Sequence, residues 1–141
     1  MTDLEARSSI NIKASPEEIW KAMTTPELIK QWFFGVDTYT DWQVGSPLVH
    51  RGVWQGKPYE DKGEILRIDP PKLLVHTHWS AVSGIPDRPE NHEEITWELS
   101  DRDGATELTI TEQNLSSEEA RAVSVQGWKA ALNNLKELLE K

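Results

Sequence analysis

Trp128, Ala131, Leu132, Leu135, Leu138 and Leu139 recur at helical spacing near the end of the chain, in the stretch GWKAALNNLKELLEK. That spacing lays them along one face of a helix. An apolar stripe of this kind has to be covered by another layer. The chain upstream offers a sheet. From Gly35 to about Gln113 it breaks into strand-length segments divided by turn residues: VDTYTDW, PLVHRGVWQG, KPYEDKGEILRID, KLLVHTHWS, HEEITWELS and ATELTITEQ. The links are short and rich in turn formers, including Pro70-Pro71, which a central strand does not accept, and Asp103-Gly104 in DRDG. Strands so connected form an antiparallel meander. One long helix against one antiparallel sheet is therefore the expected arrangement.

The N-terminal part adds a strand and two short helices. In ARSSINIKAS, Ser8, Ile10 and Ile12 share one face and Ser9, Asn11 and Lys13 the other, which predicts a strand with one buried side. Ser15, Pro16 and Glu18 form a helix start with capping-box spacing, and Thr25-Pro26 repeats the device. Ser116 and Glu119 carry the same spacing ahead of the C-terminal helix. The inward faces of the strands are expected to include Ile95, Trp97, Leu99, Leu108 and Ile110.

Composition narrows the function. The 141 residues suit one domain, 1–141. There is no cysteine, which excludes disulfides and thiolate metal sites. The net charge of −9 argues against nucleic acid as a partner. No secretory leader or membrane span is expected, because no apolar run approaches the roughly 20 residues that a span requires. A cytoplasmic location follows as the default. Seven tryptophans beside two Phe and two Tyr point to a bulky core or to a pocket with aromatic walls.

The order of elements resembles the START-like (SRPBCC) helix-grip superfamily, and within it the branch homologous to the C-terminal domain of the heat-shock chaperone ATPase activator. The resemblance rests on INIKASPEEIWKAMTTPELIKQWF, the Gly45-Ser46 turn, GEILRIDPPKLLVHTHW, GATELTITEQNL and GWKAALNNLKELLEK, and it spans nearly the whole chain. It implies an α+β helix-grip fold: a curved antiparallel sheet of about six to seven strands around one long C-terminal helix, with two short helices after the first strand. It also implies a cavity between helix and sheet that holds a largely apolar small molecule, lipid-like or aromatic. A chaperone is the alternative partner, although the activators' separate N-terminal domain has no room here. A cyclase- or hydrolase-type enzyme is the second alternative. No cofactor is implied.

The helix stripe itself suggests where such a cavity would lie. Its C-terminal half is leucine. Continued backwards from Trp128, it meets Gly127, Ser124, Arg121 and Ala120, small or polar side chains around one indole. Two readings of Trp128 stay open, core residue or pocket wall. The candidate cavity residues are Trp32, Phe33, His50, Trp54, Trp79, Trp97, Ser124, Gly127 and Trp128. No catalytic residue is assigned. There is no nucleophile motif and no phosphate-binding loop, and His50 is the best acid–base candidate for the enzyme reading. No metal site is assigned either. His76 and His78 share a strand face, but Leu73, Val75, Thr77 and Trp79 make the more apolar face, so the two histidines are expected outside and Trp79 inside. Adjacent carboxylates such as Glu93-Glu94 are expected to be structural, and Arg51 exposed.

Overall fold

The computed structural model describes residues 2–140. The chain runs β1 (Glu5–Ile12), α1 (Pro16–Thr24), α2 (Pro26–Trp32), β2 (Asp37–Tyr39), β3 (Pro47–Trp54), β4 (Lys57–Asp69), β5 (Leu73–Ser80), β6 (Glu93–Arg102), β7 (Ala105–Gln113) and α3 (Glu118–Leu139). The strands form one seven-stranded sheet in the order β1-β7-β6-β5-β4-β3-β2. Every pairing is antiparallel. β2 through β7 follow one another by hairpins. α1 and α2 carry the chain from the β1 edge to the β2 edge. This is the α+β helix-grip architecture. Among the described residues no helix is long and apolar enough to cross a membrane.

Local chemistry explains most of the boundaries. Ser15 accepts from the Glu18 amide while the Glu18 side chain returns to the Ser15 amide, the reciprocal cap that the spacing predicts. Thr25 departs from expectation. Its side chain makes no capping bond, and α2 starts on Pro26 with the Thr25 carbonyl accepting from Leu28 and Ile29. α3 is capped one residue later than its sequence suggests, by Ser117, which accepts from the Ala120 amide at 3.1 Å. Gly104 closes the β6–β7 turn at φ +90°, a conformation open to glycine.

The core fills the concave side of the sheet. Ile12 of β1, Ile65 of β4, and Leu108 and Ile110 of β7 meet Leu132 and Leu135 of α3, all fully buried. Ile95, Trp97 and Leu99 join them from β6. α3 lies along β1, at one side of the sheet, while α2 packs near β2 at the other. The Trp32 indole donates to the Ala22 carbonyl at 3.0 Å, joining α2 to α1. Asn134 donates to the Trp32 carbonyl at 3.2 Å, joining α3 to α2. The helices thus clamp both sides of the concave face and leave its middle, over β4 to β7, to side chains alone.

β4 and β5 approach unusually closely at Gly63. A Cβ there would sit 1.8 Å from the Thr77 carbonyl oxygen, backbone that has no freedom to yield. The ladder shifts register just beyond, between Ile65 and Arg67. Glycine here marks a close approach of two strands. Gly63→Ala should therefore lower unfolding stability by about 3 kcal/mol, measured by urea denaturation, and an unchanged midpoint would refute the steric account.

Candidate functional site

A cavity of about 350 Å³ opens between the first half of α3, the end of α2 and the middle of the sheet. Its walls are aromatic. Phe33 stacks on Trp128 at 5.8 Å between ring centroids. Trp97 meets Trp128 edge-on at 5.3 Å, and Trp32 meets Trp97 edge-on at 6.2 Å. Edge-to-face contacts of this kind satisfy ring quadrupoles and hold the walls in place. Phe34 and Val123 stand exposed at the mouth. Gly127 opens onto the cavity, with nothing within 4 Å of where its Cβ would be.

The floor is charged. His50, Asp61, His78, Glu93 and Glu112 come from five consecutive strands, β3 to β7, and form a polar row across the concave face. The pairings explain it: His50 stands opposite Asp61, His78 opposite Glu93, and Glu112 opposite Ile95, next to Glu93 on its strand face. His78 donates from Nδ1 to Glu93 at 2.8 Å and from Nε2 to Asp61 at 3.2 Å. Using both nitrogens as donors requires the imidazolium. Burial opposes that charge, but the two carboxylates override it and push His78 up to about 10. Burial likewise works to raise Asp61 and Glu93, and their bonds to His78 bring both below their ordinary values.

His76 is wired the opposite way. Its Nδ1 lies 2.9 Å from the Thr77 carbonyl, and its Nε2 accepts the Trp97 indole N–H at 3.0 Å. Only the neutral ring with its proton on Nδ1 satisfies both. Burial agrees, pushing His76 down to about 3. His50 packs edge-on against Phe33 and is pushed down to about 4, by burial first and then by the His78 charge. Glu112 accepts the Trp128 indole N–H at 3.0 Å. Burial and the neighbouring Glu93 raise it to about 7.

Seven of the nine candidate residues surround this cavity: Trp32, Phe33, His50, Trp97, Ser124, Gly127 and Trp128. Two do not. Trp54 is exposed at the end of β3. Trp79 lies on the outer face, where its indole donates to the Ile85 carbonyl at 3.0 Å. The expectation for β5 is thus reversed. Leu74 and His76 face inward opposite Trp97 and Ile95, and His78 follows them, while Trp79 points out. The apolar outer face misleads because the ionic floor, and not apolarity, occupies the inner one. Glu93 is part of that floor through its bond to His78, and Glu94 points to the opposite face of β6. Arg51 is exposed and pairs with Glu60. Asp61 and Glu112 escape the sequence reading, although Leu108 and Ile110 continued by one step of strand alternation reach Glu112. His78, Glu93 and Glu112 place potential metal donors within 4.8 Å of one another. The imidazolium form of His78 has no free lone pair to give, so the geometry as it stands is an Asp61–His78–Glu93 ion-paired triad with Glu112 beside it.

A carboxyl raised from 4.5 to about 7 on folding binds its proton more tightly in the native state. Its contribution is fully present below about 4.5 and is lost as pH rises through 7. Glu112→Gln should therefore raise the unfolding free energy at pH 8 on the order of 2 kcal/mol. The gain should vanish below about pH 4.5. Denaturation at both pH values checks this, and a gain that is the same at each would disprove it.

The family model described as "Activator of Hsp90 ATPase homolog 1-like protein" matches residues 13–140. No curated protein matches the sequence. Among solved structures, a Cytophaga hutchinsonii protein is 37% identical, with 98% of this chain and 94% of that one covered and a TM-score of 0.83. The Aha1 dimer from Colwellia psychrerythraea is 26% identical, with 96% of each chain covered and a TM-score of 0.76. A Chromobacterium violaceum protein shares the fold at a TM-score of 0.84 with 19% identity, 98% of each chain being covered. The matched residues take in both N-terminal helices, six of the seven strands and the long helix, and the chain belongs to the family of activator of Hsp90 ATPase homolog 1-like proteins, on a START-like helix-grip fold.

Proposed function

We propose that the protein binds a small, largely apolar molecule in the cavity between α3 and the sheet. The observation that carries this reading is the cavity's place in the fold. A void of about 350 Å³ lies where the leucine stripe of α3 gives way to Ser124 and Gly127, and it is large enough for a small ligand. Gly127 is informative. A glycine inside a helix costs about 1 kcal/mol relative to alanine, and no neighbour forbids a side chain here, since nothing lies within 4 Å of its Cβ position. The cost is unexplained by packing and is explained if the space serves a ligand. The aromatic walls supply apolar contact and a spectroscopic report, because Trp32, Trp97 and Trp128 all border the space.

Contact with a chaperone is a second reading. It is supported by the family description and by Val53 and Trp54, which are 70% and 56% exposed at the end of β3. A rise in Hsp90 ATPase rate on adding the protein, lowered by Trp54→Ala, would support it. An unchanged rate would dismiss it.

For the binding reading, native mass spectrometry should find co-purified small molecules, and titration with apolar aromatic compounds should quench tryptophan fluorescence. Gly127→Leu should fill the space. It is expected to keep or raise the melting temperature while removing the quench, and a variant that is quenched as strongly as the parent would defeat the proposal.

A further inference from the structure

The charged floor of the cavity has committed most of its donors. The indole N–H groups of Trp97 and Trp128 are committed to His76 and Glu112. Both N–H groups of His78 are committed to Glu93 and Asp61. The Nδ1 proton of His76 goes to the Thr77 carbonyl. Against this, the Asp61 carboxylate accepts from His78 on one oxygen, and its buried Oδ1 has only the neighbouring Ser80 hydroxyl, outside full hydrogen-bond geometry, to turn to. His50 and the Ser124 hydroxyl serve either way. A buried acceptor left unsatisfied is costly, so the complementary ligand brings donors.

Charge points in the same direction. Asp61 and Glu93 face a single imidazolium, which leaves one negative charge unbalanced, and two when Glu112 ionises. Above this floor stand the ring faces of Phe33, Trp97 and Trp128, which attract cations through their quadrupoles. We propose that the cavity selects an amphipathic organic cation, its ammonium or amidinium head seated on the carboxylate floor beside Glu112 and its apolar body between the aromatic walls. This rests on the ligand-binding reading above and adds the ligand's chemical class.

Glu112 reports on the seating. It is faced by Glu93 from β6, His78 from β5, Ala6 from β1 and the Trp128 indole from α3. Standing near pH 7, it gives up part of its proton when a cation arrives beside it.

The test uses the full chain and three matched probes, 4-phenylbutylamine, 4-phenylbutan-1-ol and 4-phenylbutanoate, by isothermal titration calorimetry at pH 7. The amine is expected to bind at least about tenfold tighter than the alcohol, and the carboxylate more weakly than either. Binding heat for the amine should depend on the buffer's ionisation enthalpy, and that for the alcohol should not. Glu112→Gln keeps an acceptor for Trp128 and removes the charge, so the amine-to-alcohol ratio should narrow to below about threefold. The wild-type comparison decides the matter even if that variant does not fold. Equal or tighter binding of the alcohol overturns the cation proposal and leaves the ligand-binding reading standing. No binding of any of the three overturns both.

Discussion

A helix about 10 Å across cannot cover a sheet seven strands wide, which spans roughly 29 Å. Everything on the concave face follows from that mismatch. α3 settles along β1 and α2 near β2, and the middle is bridged by large rings. Indoles suit this task because they reach far from the backbone and carry one N–H to anchor. Three of the four indoles around the cavity use it: Trp32 on Ala22, Trp97 on His76, Trp128 on Glu112. The tryptophan-rich composition is thus the means by which one helix grips a wide sheet. The unfilled remainder under Gly127 and Ser124 is where the reach of the rings ends.

The floor of that remainder is held together by mutual dependence. The imidazolium of His78 exists because Asp61 and Glu93 flank it, and those carboxylates stay ionised because His78 is charged. Removing His78 would leave two buried carboxylates without their partner, which is far more damaging than removing a surface ion pair. Glu112 is left outside this balance and meets Glu93 instead, so it carries the electrostatic tension of the row. A site with one loosely held proton among fixed charges responds to whatever enters it.

Much of the fold is legible in local patterns. The Ser15–Glu18 cap, the leucines of α3 and the alternation through Ile95, Trp97 and Leu99 each depend on near neighbours, and near neighbours are what a sequence displays. The Ser117 cap differs by one residue because adjacent serines offer the same chemistry, and backbone geometry chooses between them. β5 defeats the pattern for a different reason. Its inner face carries Leu74, His76 and His78, whose burial makes sense only beside Asp61, Glu93 and Glu112, residues far away in sequence. Apolar alternation identifies an inside made of hydrocarbon. An inside made of salt bridges looks like an outside.

The two edges of the sheet are finished differently. Along β1, Arg121 donates to the Glu5 carbonyl and Lys136 to the Asn11 carbonyl, and the Lys13 amide is taken by Glu140. The helix that grips the concave face thereby also occupies both ends of this edge. β2 covers β3 only from Val49 to Arg51, so Gly52, Val53 and Trp54 continue past it without a neighbour on that side. An open strand edge with an apolar tip is a template for pairing. Among the described residues the two edges therefore present themselves unequally to a neighbouring strand: α3 and Glu140 occupy backbone groups at both ends of β1, whereas the tip of β3 stays open.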